Sequence, residues 1–181
     1  LDGSLSYSAY FVFSSIAAFV LIEAANVSPT LFALLYAAVA FGYGIGTFTS
    51  ARLARRLGVD RTVAIGLAVS VLASLLHNVL VLDNSPNPYT IALPMVIVAL
   101  GLGMGFANLQ AGAIAPFPVF AGAASSTAGF LQMLVSSVIG AIALQFYNGT
   151  PLVMTAGILF SAAGMAGIYY ILVWRRINAK E

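Results

Sequence analysis

Few side chains in this sequence could make or break a covalent bond. There is one histidine, His77, no cysteine, and five carboxylates spread along the chain at Asp2, Glu23, Asp60, Asp83 and Glu181. General acid–base catalysis needs groups that converge on one substrate, a metal needs ligands at set spacing, and a phosphate-binding loop needs glycines beside a lysine. The sequence has none of these patterns, so its inventory argues against an enzyme, and neither a metal nor a cofactor is expected.

Groups suited to non-covalent recognition are better represented. Tyr7, Phe11, Ser14 and Ala18 recur at i, i+4, i+7 and i+11, on one face of a helix, with Tyr10 alongside. Such a wall suits a bulky, partly apolar ligand, but the residues alone favour core packing. The stretch "GLGMGFANLQAG" sets Met104 and Asn108 on the face of Gly101, with Gln110 about 200° around the helix from Asn108. An amide in apolar surroundings needs a partner, which is either a ligand or a neighbouring helix. His77 alone is suited to bonding a neighbour more than to relaying protons, and Glu23 falls where water can reach it.

A third cluster is cationic. Arg52, Arg55 and Arg56 stand at i, i+3 and i+4, one face of a helix that runs past the membrane. Gly58 is expected to supply a left-handed cap and Asp60 the next N-cap.

The elements that carry these groups follow from composition. Of 181 residues, 61% are hydrophobic and only 7% charged, against about 25% in a soluble domain. With a mean hydropathy of +1.03, lipid must cover most of the surface. No charge interrupts the chain between Asp83 and Arg175. Loop signals at "EAANVSP", "DNSPNPY", "APFPVFAGA" and "NGTP", together with the arginine cluster, predict six spans at about 5–22, 30–50, 62–82, 90–113, 125–147 and 152–174. Tyr89, Tyr147 and Trp174 fall at predicted ends, where amphipathic rings favour the headgroup level.

Six crossings put both termini on one side. Arg52, Arg55, Arg56, Arg61, Arg175, Arg176 and Lys180, all 7 basic residues, fall on that side, which the positive-inside rule makes cytoplasmic. The basic strip is thus explained by topology, and no nucleic acid is expected as a partner. No charged n-region with a small-residue cleavage site opens the sequence, so no signal peptide is expected.

The arginine loop resembles the motif between the second and third spans of each half of a major facilitator superfamily transporter. Gly46, Arg55, Arg56 and Gly58 fit that motif, with Arg52 in the same loop, while Ser50 and Ala51 replace its Asp-Arg pair. Such degenerate copies resemble the C-terminal half. A second stretch, "NLQAGAIAPFPVFAGAASSTAGFLQMLVSSVIGAI", is similar to the Bcr/CflA drug-resistance branch at Asn108, Ala115 to Pro118, Ala121-Gly122, Ala124-Ser125, Gly129 and Gln132. Val119 and Phe120 stand where that branch usually has a polar residue.

The resemblance implies an all-α, six-helix half-bundle of a secondary transporter in the cell (inner) membrane. It would move small, partly apolar molecules such as drugs by alternating access, as proton-coupled efflux. By the family's arrangement the first and fourth spans line the cavity, with Tyr7, Tyr10, Phe11, Ser14, Met104 and Asn108 as substrate-lining candidates. The second and fifth spans meet a second bundle, either an N-terminal half or a second copy. Gly42, Gly44 and Gly46, and Ala124, Ser125, Ala128, Gly129 and Gly140, are the small residues expected to permit that approach. No carboxylate lies mid-span, so the coupling acid is expected in the partner bundle. A non-transporting membrane subunit or scaffold is the alternative. The residues themselves display no three-helix repeat.

Overall fold

The computed structural model describes residues 2–82 and 87–178, with side chains for 5–82 and 87–171. Asp83, Lys180 and Glu181 lie outside the described residues, as do the side chains of Trp174, Arg175 and Arg176. Six helices account for nearly everything described: α1 (Asp2–Ala18), α2 (Pro29–Leu57), α3 (Val59–Leu80), α4 (Pro88–Ile114), α5 (Ala121–Gln145) and α6 (Leu152–Asn178). A π-helical stretch, Phe19–Ala24, prolongs α1, and one 3₁₀ turn, Pro118–Phe120, leads into α5. No strand occurs among the described residues. All six helices are long and apolar enough to cross a bilayer, the build of an all-α membrane protein.

Local chemistry sets the helix ends. Ser28 caps α2 by accepting from the Leu31 N–H at 3.3 Å, and Asn87 caps α4 by accepting from the Tyr89 N–H at 2.9 Å. In both, a proline follows at the first helical position, where its missing N–H has no partner to lose. These helices therefore start slightly before the predicted 30 and 90. Pro116 and Pro118 break the chain, but helix resumes at Ala121, ahead of the predicted 125.

One residue, Gly58, joins α2 to α3. Its φ of 85° with ψ of 163° is not the left-handed cap expected, but an extended region that is essentially glycine-only. Gly58 is also the N-cap position of α3, so Asp60 lies in the first turn and does not cap it. The Tyr169 hydroxyl of α6 donates to the Asp60 carbonyl at 3.1 Å, which sets the C-terminal part of α6 beside the α2–α3 corner.

The helices divide into two groups of three. Helix α4 packs mainly on α2 and α3, while α1 packs mainly on α5 and α6, and α3 meets α6 across the middle. Exchanging α1, α2 and α3 for α4, α5 and α6 maps this pattern onto itself. Burial follows the same exchange: α1 and α4 are the most buried, α3 and α6 intermediate, α2 and α5 the least. Helices three apart in an up-down series run in opposite directions, so the repeat is inverted. The sequence hides this repeat because packing preserves residue size and direction more than identity.

Glycines set the tightest contacts. A side chain at Gly46 would run into the Leu100 backbone, and one at Gly42 would come within 2.6 Å of the Val96 carbonyl oxygen. Gly101 and Gly103, pointing about 200° apart on α4, lie against α3 and α2 respectively. In α5, Gly140 lies against Phe11 and Ser15 of α1. Gly42, Gly46 and Gly140 are thus used inside the bundle, correcting the expectation that they serve an outer interface. Gly44 and Gly129 have open space beside them.

Candidate functional site

Where α1 passes the α2–α4 pair, tyrosines replace glycines as the contact residues and a cleft opens. Its volume is about 200 Å³, and its lining is Ser6, Tyr7 and Tyr10 of α1, Ala40 and Tyr43 of α2, and Leu102 and Phe106 of α4. Four rings adjoin in series around it. Tyr10 lies 6.3 Å from Tyr7, Tyr7 lies 6.5 Å from Phe106, and Phe106 lies 6.4 Å from Tyr43, centroid to centroid. The rings are tilted by 39° to 55°, a range in which aromatic edges meet aromatic faces.

A hydrogen-bonded chain holds one side of this wall. The Tyr10 hydroxyl donates to the Tyr36 hydroxyl at 2.9 Å, and Tyr36 donates to Ser14 Oγ at 3.1 Å. Tyr36 also stacks on Phe13 and touches Phe32, which fixes the α1–α2 contact. Tyr7 and Tyr43 use their hydroxyls on no other described residue, leaving two phenols for a ligand. No ionisable group other than tyrosine lines the cleft. Such a surface stacks on apolar or aromatic groups and offers hydroxyls to an uncharged polar one.

The six candidates read from sequence divide. Tyr7 and Tyr10 line the cleft. Phe11 contacts the Tyr7 ring at 6.5 Å and otherwise meets Gly140, and Ser14 closes the hydrogen-bonded chain. Met104 is buried, with its Cβ where a side chain on Gly66 of α3 would lie, away from the cleft. Asn108 donates to Ser50 Oγ at 2.7 Å and to the Met104 carbonyl at 3.1 Å, and Ser50 donates to that same carbonyl at 2.8 Å. Its amide binds α4 to α2 and lies outside the cleft lining.

Tyr36, Tyr43 and Phe106 were not singled out in the sequence. Tyr36 and Tyr43 are spaced i, i+7 and so share a face of α2, the periodic signal that could have found them. Asn78 and Thr155 were missed too. Thr155 donates to Asn78 Oδ1 at 3.2 Å and Asn78 donates to the Thr155 carbonyl at 2.9 Å, binding α3 to α6. His77 is fully buried on α3, away from the cleft, and neither ring nitrogen has a hydrogen-bond partner among the described residues.

Glu23 is exposed at the far end of α1. Tyr147, just past α5, lies 6.0 Å from Phe19, and burial plus the nearby Glu23 carboxylate push its phenol pKa up. The loop-motif residues lie at the opposite end: Arg52, Arg55 and Arg56 are exposed on the last turns of α2 and Gly58 forms the corner. Gly46 is three turns earlier, inside the α2–α4 contact. No family model, no curated protein and no solved structure matches the chain.

Proposed function

We propose that this chain is one six-helix half of an alternating-access secondary transporter, and that an uncharged, partly apolar small molecule passes along the tyrosine cleft. The observation that carries this reading is the inverted exchange of α1–α3 for α4–α6 in packing and burial, with the cleft between the two most buried helices. Inverted repeats with a site at their interface are the architecture of many secondary transporters. The similarity of the Asn108 to Ile142 stretch to the Bcr/CflA branch of the major facilitator superfamily supports drug-type substrates and proton-coupled efflux. The arginine end is proposed to be cytoplasmic and the membrane the cell (inner) membrane.

A second bundle completes the pathway in this proposal, as an N-terminal half or a second copy. It joins through α2 and α5, the two least buried helices, where Gly44 and Gly129 leave open space. The coupling carboxylate belongs to that partner.

The test is transport in proteoliposomes by the complete assembly, comparing native chain with Tyr7→Ala and Tyr43→Ala. Both variants are expected to raise the substrate concentration for half-maximal flux about tenfold while folded yield stays within twofold. Unchanged flux kinetics in both would remove the cleft from the pathway. Flux that persists in strictly monomeric preparations would overturn the half-transporter reading.

A further inference from the structure

We infer that the C-terminal end of α2 is a binding site for the headgroup of an anionic phospholipid. At 29 residues, α2 is longer than a crossing requires. Its length of about 43 Å exceeds the roughly 30 Å hydrocarbon core, so its arginine turns project to headgroup level. There Thr49, Arg52, Leu53, Arg55 and Arg56 line an open cleft of about 450 Å³.

The three guanidiniums are free to take a phosphate. Arg52 lies 3.7 Å above the Phe48 ring, which holds its charge at one place without neutralising it. Arg55 and Arg56 are exposed and form no ion pair among the described residues. The acid nearest in sequence, Asp60, is engaged from α6, with Tyr169 donating to its carbonyl at 3.1 Å and its carboxylate at 3.4 Å.

Directly below the charges, Ile45 and Phe48 are exposed on the same side of α2 as Arg52, spaced i, i+3 and i+7. A lipid supplies what this surface lacks on both counts: a phosphate for the guanidiniums and acyl chains for the apolar ridge. A soluble anion would satisfy only the first. Gly44 lies about 100° around α2 from Ile45 but only about 40° from Phe48, so the lipid would sit at the edge of a second bundle docked at Gly44.

Binding of fluorescent phosphatidylglycerol and phosphatidylcholine to the purified full chain in uncharged detergent tests the site. Each arginine near an anionic surface contributes about fivefold, so phosphatidylglycerol is expected to bind at least tenfold tighter than phosphatidylcholine. Arg55→Gln with Arg56→Gln should lower that preference to about the fivefold that Arg52 alone supplies, and Phe48→Ala should reduce the native preference by releasing Arg52. Arg61→Gln, outside the cleft, should keep it. For the native chain, 1 M salt should lower the preference to near unity, because screening shortens to about 3 Å. Equal binding of the two lipids overturns the proposal, as does an equal loss in Arg61→Gln, which would mean diffuse attraction. Displacement of phosphatidylglycerol by millimolar glycerol phosphate or inorganic phosphate would identify a soluble-anion site and overturn the lipid assignment.

Discussion

Helix α2 makes two contacts that differ in kind. Toward α4 it presents Val39, Gly42, Gly46 and Ser50, a buried stripe at helical spacing, and backbone meets backbone. Toward α1 it presents Tyr36, against Tyr10 and Phe13, while Ala40 and Tyr43 line the cleft that opens between the helices. In lipid no hydrophobic force separates these cases, since acyl chains are as apolar as leucine. Close approach, van der Waals contact and interhelical hydrogen bonds decide which helices lock together. Small residues fuse α2 with α4 into one unit, and large amphipathic residues give α1 a hydrogen-bonded but roomier contact.

The largest test of that contrast is Gly46→Ala against Gly44→Ala. A methyl at Gly46 would meet the Leu100 carbonyl, whereas one at Gly44 meets nothing within 4 Å. Gly46→Ala is expected to cost about 3 kcal/mol in detergent unfolding, and Gly44→Ala to change stability by less than about 0.5 kcal/mol. Similar losses at both sites would show that α2 does not lock on α4 through this face.

A smaller effect is expected from the Ser50–Asn108 lock. A double-mutant cycle with Ser50→Ala and Asn108→Ala should return a coupling of about 1 kcal/mol, read from thermal or denaturant unfolding. Transport by Asn108→Ala, measured in the complete assembly, should keep its substrate affinity. An affinity change with no loss of stability would return Asn108 to the substrate path.

On the cleft side, Tyr36→Phe deletes both bonds of the Tyr10–Tyr36–Ser14 chain and is expected to cost about 1 kcal/mol. Tyr7→Phe removes a hydroxyl that bonds no described residue, and stability should move by less than about 0.5 kcal/mol. If Tyr7→Phe instead destabilises as much as Tyr36→Phe, its hydroxyl is structural and the cleft has lost one ligand-facing phenol.

Sequence patterns made the helices legible because hydropathy and loop chemistry act locally. Proline and asparagine near positions 29 and 87 set helix starts, and the arginine cluster sets a helix end, without reference to any other part of the chain. Tyr7 and Tyr10 were legible as one wall of the site for the same reason. Tyr43 and Phe106 were not, because their roles depend on which helices become neighbours. Asn108 illustrates the limit from the other direction: its need for a hydrogen bond is evident in a span, but whether Ser50 or a ligand meets it depends on the α2–α4 register.

By itself, then, the sequence determined six helices long and apolar enough to cross a membrane, with Arg52, Arg55, Arg56 and Arg61 gathered at one helix corner, since the hydropathy of a segment and the exclusion of charge from it are properties of each segment alone. The tertiary structure decided which glycines are contacts and which are open, that α1–α3 and α4–α6 form an inverted pair, and where the cleft lies. Those depend on helix neighbours and their register, which no single span encodes: a one-turn slide of α2 along α4 would carry Gly46 off Leu100 and part Asn108 from Ser50, while every hydropathy value stayed the same.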